Sequence, residues 1–287
     1  MRGAIESLLA QDYGTLEIII SDNASTDQTE DICLEFASKD PRVLYFRNDQ
    51  DIGSVGNFNR VLALSNSPYF MWAAHDDEWK PSYVRTCVEL LEQNPNTVLA
   101  AAQCVSMDSQ SGKVKFTDPG LTTVGLNSTL RFMRYRASIH SGQHVGGIFH
   151  GVYRRAFLAR ATPLRNIIAA DHLVLARLCL LGEFVTFAEP LFVKRYGGAS
   201  RNLRWMAIAM GIRNPLLTNF PYLVREAYMQ QLVFQCKELT ILEKAYLSSW
   251  SATHYLRFNL LIGGMKSLIP KFLKEPIKRL LQRRNVT

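Results

Sequence analysis

Two adjacent acidic residues, Asp76 and Asp77, follow directly after the apolar run Tyr69 to Ala74 (YFMWAA) and His75. Neighbouring carboxylates repel each other unless a cation or hydrogen-bond donors lie beside them. Mg²⁺ and Mn²⁺ accept carboxylate oxygens as ligands and keep coordination positions free for phosphate. The pair therefore predicts either a divalent metal that stabilises a leaving nucleotide, or two solvated acids at the start of the helix near Pro81.

A second polar cluster, Ser21 to Asp27 (SDNASTD), follows the apolar run Leu16 to Ile20. The side chains of Asp22 and Asn23 are of the type that hydrogen-bonds a base edge and ribose hydroxyls. In a turn, the same side chains can instead satisfy their own backbone. The sequence leaves both interpretations open.

Asp171 begins a segment that is predicted to be an amphipathic helix, with Leu173, Val174, Leu178 and Leu181 facing inward and Gly182 at its C-terminal end. A carboxylate at a helix N-terminus is stabilised by the helix dipole and by free backbone N–H groups. Asp171 is therefore either a helix cap or a general base that removes a proton from an acceptor hydroxyl. His172 beside it either tunes that site or is an ordinary helix residue.

These residues must be positioned by the surrounding elements, and the first half of the chain alternates short apolar runs with helical segments. This rhythm predicts an α/β fold with a mostly parallel, Rossmann-like sheet flanked by helices. Ligands in such folds bind beyond the carboxyl ends of the strands, which is where both acidic clusters fall. In the second half, Val145 to Tyr153 (VGGIFHGVY) resembles a Gly-rich strand, and the chain is predicted to be helical from about Pro221.

Composition limits the possible classes of protein. Of the 287 residues, 47% are hydrophobic, which is enough for a large core. Five widely spaced cysteines without a C-x-x-C pair argue against a structural zinc site and a disulfide framework. No apolar run reaches the roughly 18 residues of a spanning helix. We therefore expect a cytoplasmic protein.

The net charge of +8 is concentrated near the C-terminus, where seven basic residues lie between Lys266 and Arg284 and only Glu275 opposes them. A uniform nucleic-acid-binding face is therefore not expected. The mixed apolar and basic segment 256–284 could lie on an anionic membrane surface as a peripheral contact. The alternative is a pair of C-terminal helices packed on the enzyme with a solvated basic face.

Taken together, the motifs resemble glycosyltransferase family 2, whose members have the so-called GT-A fold. The resemblance is carried by AIESLLAQDY (Ala4 to Tyr13), LEIIISDNASTDQT (Leu16 to Thr29), DIGSVGNFNRVLALS (Asp51 to Ser65) and WAAHDDEWKP (Trp72 to Pro81). A later GVYRR (Gly151 to Arg155) also fits, so the resemblance covers roughly residues 1 to 200. It implies a donor-binding half at 1–107 and an acceptor-binding and catalytic half at 108–200 of the same domain. Residues 201–287 are predicted to follow as a helical C-terminal extension with a basic amphipathic tail.

The resemblance also implies roles for individual residues. Asp22 and Asn23 would bind the nucleotide, while Gly53 and Asn59 would approach the donor. Asp76 would bind the donor diphosphate, and Asp76 and Asp77 would hold a divalent metal, Mn²⁺ or Mg²⁺. Asp171 would be the catalytic base of an inverting transfer from a nucleotide sugar to a glycan or lipid-linked acceptor in surface polysaccharide synthesis.

Three departures from the family pattern stand against this. The family usually opens with a strand before the helix that here begins the chain, so we expect a gap in the sheet and an N-terminally truncated domain. Ala74 occupies the first acidic position of the usual Asp-x-Asp-Asp motif. Lys194 to Gly198 (KRYGG) stands where many members carry a late histidine that completes the metal site.

Two alternatives follow from these departures. The first is a non-catalytic, degenerate relative that binds nucleotide or membrane. The second is a sugar-nucleotide pyrophosphorylase, which would require a Gly-rich phosphate loop near the N-terminus, and none is visible in this sequence.

Overall fold

The computed structural model describes residues 1–140, 146–196, 206–207 and 210–261. Its helices are α1 (Arg2–Leu9), α2 (Thr29–Lys39), α3 (Gly53–Leu64), α4 (Tyr83–Gln93), α5 (Ser128–His140), α6 (Arg155–Leu158), α7 (Ala170–Leu181), α8 (Pro215–Asn219), α9 (Pro221–Gln235) and α10 (Ile241–Leu261). Its strands are β1 (Ile18–Asp22), β2 (Val43–Arg47), β3 (Tyr69–Phe70), β4 (Glu78–Trp79), β5 (Thr97–Asp108), β6 (Val114–Asp118), β7 (Val152–Arg154) and β8 (Glu183–Tyr196).

The α/β class is as predicted, but the sheet is only partly parallel. β1 pairs in parallel with β2, and the long strands β5 and β8 pair in parallel with each other. The larger sheet has the strand order β3-β7-β5-β8-β4, with β6 paired to β5. In this sheet the described pairings other than β5–β8 are antiparallel. The sheet is mixed because the short strand β7 lies between β3 and β5, where a simple βαβ alternation would pair those two strands directly.

β1 and β2 form a sheet of their own, separated from the larger sheet by a cavity of about 580 Å³. The cavity is lined by β1 on one side and by the segment Pro68 to His75 on the other, with α1 and α3 closing it. β3 pairs only at Tyr69 and Phe70, on its β7 side. The cavity thus lies between two separate sheets, next to the expected position of a gap.

The main hydrophobic core lies between the larger sheet and helices α3, α5, α7 and α9. It contains buried residues from each of the segments 1–107, 108–200 and 201–287, including Trp72, Leu178 and Val233. α7 differs from the prediction of an amphipathic helix, because eight of its residues are buried: Ala170, Leu173, Val174, Leu175, Ala176, Leu178, Cys179 and Leu180. It is therefore a central helix of the core rather than a surface helix.

The predicted strand at Val145 to Tyr153 was wrong in its first part. Gly146–His150 is a 3₁₀ helix, and only Val152–Arg154 forms a strand. The backbone turns here because Gly147 and Gly151 approach β5 closely. A Cβ on Gly151 would lie 2.6 Å from the carbonyl oxygen of Ala100.

Within the described residues, no helix is both long enough and apolar enough to cross a membrane. The basic segment 256–284 begins in α10, and from residue 262 onwards it lies outside the described part of the chain.

Candidate functional site

The acidic pair lies between β3 and β4, at the edge of the larger sheet. Asp76 is half-buried, whereas Asp77 is only 1% exposed. The backbone N–H of Arg195, on β8, donates a 2.9 Å hydrogen bond to Asp77 Oδ1. Burial raises the pKa of Asp77 to about 6, opposed by this hydrogen bond and by the positive charge of Lys194. Asp77 is therefore a carboxylate that the fold buries without fully neutralising.

The other carboxylate oxygen of Asp77, Oδ2, is buried and has no hydrogen-bond partner among the described residues. A buried unpaired carboxylate oxygen is costly and is usually explained by a proton, an ion or water. Together with the half-buried Asp76, it provides two carboxylate groups that suit a hard divalent cation. No set of three or more His, Cys, Asp or Glu residues in the described part of the chain could hold a metal by itself. The two carboxylates would therefore fit a divalent cation only together with oxygen ligands from elsewhere.

Asp22 ends β1 and is 3% exposed. Its Oδ1 accepts a 2.9 Å bond from the Ser25 N–H, and its Oδ2 accepts bonds from the Tyr45 hydroxyl at 2.8 Å and from the Arg47 guanidinium. Burial alone would raise the pKa of Asp22, but the hydrogen bonds from Ser25 and Tyr45 and the charge of Arg47 outweigh it, and the pKa is lowered. Asp22 is thus an ionised carboxylate that holds the loop in shape.

The side chain of Asn23 is also held by hydrogen bonds. Its side-chain oxygen accepts hydrogen bonds from the Asn48 amide at 2.8 Å and from the Ile52 N–H at 3.0 Å, and its amide donates to Asp51. The next residue, Ala24, has a left-handed backbone with φ of 59°. Non-glycine residues in this conformation are uncommon and tend to occur where the surroundings impose it, often at functional sites. The loop is therefore rigid, and its side chains connect β1 to the start of α3.

Gly53 begins α3 with φ of +75°, and a Cβ there would lie 3.0 Å from the carbonyl oxygen of Met210. Glycine is required at this position for both reasons. The amide of Asn59 makes two hydrogen bonds to the backbone of Leu164, one to its carbonyl at 3.0 Å and one from its N–H at 2.8 Å. In the structure Asn59 therefore anchors the loop that leads to α7. The predicted donor contacts of Gly53 and Asn59 stay predictions.

Asp171 lies in the first turn of α7, which begins one residue earlier than predicted. Ala169, which precedes the helix, is left-handed with φ of 60°. Burial and then the negative charge of Asp171 raise the pKa values of Tyr135 and Tyr153, and the Tyr135 hydroxyl donates to the carbonyl of His172, next to Asp171, at 3.4 Å. Tyr153 in turn packs edge-on against Trp72, with ring centroids 5.6 Å apart. Trp72 thus connects the base candidate to the segment that carries the acidic pair.

The cavity is lined by Ser21 and Asn57 and also by Ala74 and His75, while Asp22, Asp76 and Asp77 are not among its lining residues. Asn57 was not expected as a residue of this cavity from the sequence. Its amide donates to the Ser21 carbonyl at 2.6 Å and its side-chain oxygen accepts from the Ser21 hydroxyl. The signal for such a residue is general: the backbone groups of a buried loop need hydrogen-bond partners.

His150 was also missed as a site residue, because its spacing to other histidines suggested nothing. It is 6% exposed, its Nδ1 lies 3.0 Å from the Trp72 carbonyl, and its Nε2 lies 3.4 Å from Lys194 Nζ. Arg154 donates to the carbonyls of Thr97, at 3.0 Å, and Leu91, so its guanidinium is used in holding the fold.

The sequence matches the model of the family described as Glycosyl transferase family 2 over residues 1–159, which is more than half of the chain. WcaA of Escherichia coli (strain K12), a putative colanic acid biosynthesis glycosyl transferase, is 37% identical over 79 residues, which cover 28% of this chain and 28% of WcaA. WfaP of Escherichia coli, a UDP-Glc:alpha-D-GlcNAc-diphosphoundecaprenol beta-1,3-glucosyltransferase, is 33% identical over 88 residues, which cover 31% of this chain and 34% of WfaP. The matches to these relatives span only about a third of their length.

Among solved structures, Staphylococcus aureus TarS (residues 1–349) in complex with UDP superimposes with a TM-score of 0.61 at 14% identity, covering 96% of this chain and 72% of that chain. The complex of the same protein with UDP-GlcNAc gives a TM-score of 0.61 at 13% identity. At this identity the likeness shows the fold. The chain therefore belongs to glycosyl transferase family 2 and has the GT-A fold of these transferases.

Proposed function

We propose that this protein is an inverting glycosyltransferase that moves a sugar from a nucleoside-diphosphate sugar to a glycan or lipid-linked acceptor. The observation that carries the proposal is the acidic pair itself. Asp77 is buried with an unpaired Oδ2, and Asp76 beside it is half-buried. Ser21, which precedes Asp22, and His75, which precedes the pair, both line the cavity between the two sheets.

In the proposed reaction, Asp171 removes the proton of an acceptor hydroxyl, and the hydroxyl oxygen attacks the anomeric carbon of the donor sugar. The bond between that carbon and the diphosphate oxygen breaks on the opposite face, so the configuration inverts. Asp22 and Asn23 shape the nucleotide pocket, with Gly53 bringing the start of α3 towards it. Their hydrogen bonds fix the loop before the donor arrives, which lowers the entropy lost on binding.

A divalent metal, Mn²⁺ or Mg²⁺, would be held by Asp76 and Asp77 and would offset the negative charge of the leaving diphosphate. This assignment is supported by the unpaired Oδ2 of Asp77. The acceptor class is supported by the relatives, since WfaP is named for a diphosphoundecaprenol-linked acceptor and WcaA for colanic acid biosynthesis. We propose that surface polysaccharide synthesis is the setting of this protein as well.

The test is calorimetric titration of the protein with UDP, dTDP and GDP, each with Mn²⁺ and with a chelator. We expect one nucleotide to bind more tightly with Mn²⁺, and the combined Asp76→Ala and Asp77→Ala variant to lose that gain. Glu89→Gln is the control, because Glu89 is an exposed acid on α4 whose ion pair is with Arg85. Absence of binding to all three nucleotides by the folded protein would overturn the proposal.

A non-catalytic relative is the second candidate, and Ala74 favours it because it removes one carboxylate from the usual acidic motif. Such a protein would bind nucleotide in the titration but would not consume any nucleotide sugar. Incubation with the sugar donor of the nucleotide that binds, followed by chromatography of the released diphosphate, separates the two candidates.

We also propose that segment 256–284 attaches the protein to the inner face of an anionic membrane. The support is its basic content, with seven Lys and Arg residues between Lys266 and Arg284. Each basic residue near such a surface contributes about 1 kcal/mol. Flotation with vesicles containing anionic lipid should carry the protein at low salt, whereas neutral vesicles should not.

A further inference from the structure

The end of β8 runs directly beside the acidic pair. β4 and β8 are antiparallel, with Glu78 opposite Val193 and Trp79 opposite Phe192. Continuing this register by one residue places Asp77 opposite Lys194, so that their side chains share one face. The hydrogen bond from the Arg195 N–H to Asp77 Oδ1 fixes the two segments at this point. Lys194 therefore carries its positive charge at the acidic pair.

His150 determines where that charge lies. Its Nδ1 is 3.0 Å from the Trp72 carbonyl oxygen, which only accepts, so Nδ1 carries the proton and donates. Nε2 is left as an acceptor for the Lys194 ammonium, 3.4 Å away. Burial, and then the charge of Lys194, lower the pKa of His150 to about 3. A neutral imidazole thus holds the ammonium in place.

The charge of Lys194 is not cancelled by a close ion pair within the described residues. The charge of Lys194 lowers the pKa of Asp77 through space, but the two side chains are too far apart to form a direct ion pair. Arg195 behaves differently, because its guanidinium pairs directly with the carboxylate of Glu78. The half-buried Lys194 is thus a fixed cation with donor capacity left for another anion.

We propose that Lys194 is a donor-binding residue whose ammonium contacts the diphosphate of the nucleotide sugar, with His150 as its positioning residue. The inference rests on the proposed function. Two carboxylates and a diphosphate in one site repel each other, and a divalent cation offsets this only while it is bound. Lys194 supplies a permanent positive charge, so part of the affinity for the diphosphate is independent of metal.

The experiment compares calorimetric titrations of wild type, Lys194→Met, Lys194→Gln and Lys113→Met with UDP and with uridine, in Mn²⁺ and in chelator. If another nucleoside diphosphate is the one that binds, it and its nucleoside take the place of UDP and uridine. Lys113 is the control because it is an exposed lysine in the turn between β5 and β6. Loss of one charge-assisted contact should weaken diphosphate binding by about 10- to 100-fold in both conditions. Uridine, which has no phosphate, should bind all four proteins equally.

Two results would overturn the inference. One is an unchanged affinity of both Lys194 variants for the diphosphate while wild type binds it. The other is an equal loss of diphosphate and nucleoside, which would mean that the substitution disturbs the pocket and not the phosphate contact. If wild type binds none of the diphosphates, the proposed function has failed first, so the two failures are distinguishable.

Discussion

Replacing Glu226 by glutamine would leave the guanidinium of Arg136 buried without its counter-ion. The Arg136 side chain, on α5, is fully buried, and its Nη2 donates to the Glu226 carboxylate on α9 and to the Ser251 hydroxyl on α10, the latter at 3.2 Å. The Nε and Nη1 atoms of Arg136 have no partner among the described residues. This cluster joins the C-terminal helices to the body of the protein.

The size of the effect follows from that burial. Breaking a buried ion pair from one side costs about 3–5 kcal/mol, because an uncompensated charge remains inside. For a chain of this size we expect the Tm to fall by about 6–20 °C. Burial lowers the pKa of Arg136 and the charge of Glu226 opposes that effect. The guanidinium stays charged without the carboxylate, so the substitution leaves an uncompensated buried charge.

Thermal unfolding followed by circular dichroism measures the cost for Glu226→Gln, Arg136→Met and the double variant. The double variant should lose less stability than Glu226→Gln alone, because no unpaired charge is left. Glu35→Gln is the matched control: its ion pairs with Arg2 and Lys39 are solvent-exposed, so its loss should change the Tm little. A loss below about 1 kcal/mol for Glu226→Gln, or strictly additive losses in the double variant, would refute this reasoning.

Three further outcomes are expected. Asp171→Asn should lower turnover by about 10²–10⁴-fold with nucleotide affinity unchanged, measured by diphosphate release; full activity in this variant would exclude Asp171 as the base. His150→Asn should remove an acid sensitivity of stability. Because the folded pKa of His150 is about 3, below its unfolded value, the contribution of His150 to stability should fall by about 1.4 kcal/mol for each pH unit between about 6.5 and about 3, while the raised pKa of Asp77 acts in the opposite direction in both proteins. Chemical denaturation between pH 6.5 and 5 should show a smaller slope in His150→Asn than in wild type, and equal slopes would contradict this. Gly151→Ala should cost about 1–3 kcal/mol by overpacking, since its Cβ would meet the Ala100 carbonyl at 2.6 Å, and a Tm equal to that of wild type would show that β5 and the Gly151 turn can move apart.

The sequence alone determined the order of the elements in the first half and the residues with chemical potential. Apolar runs such as Leu16 to Ile20 are followed by polar loops, and this local pattern predicts strands that end in a binding edge. The acidic pair, the Asp22 loop and the start of α7 could be recognised from the sequence. Each is a short stretch in which acidic residues follow an apolar run or begin a helix.

Only the tertiary structure decided what those residues touch. Asp22 and Asn23 are held by Tyr45, Arg47 and Asn48, which come from the next strand and its end. The mixed pairing of the larger sheet arises from contacts between strands far apart in sequence, and periodicity does not encode pairing partners.

The cationic side of the site shows the same limit. Lys194 and His150 are separated by 44 positions, and no spacing rule connects them. They meet because β8 pairs with β4, and because the 3₁₀ helix places the His150 ring next to the Trp72 carbonyl. Local residue types predict where charge can be placed along the chain, but the balance of charge around Asp77 depends on long-range packing, which only the folded chain determines.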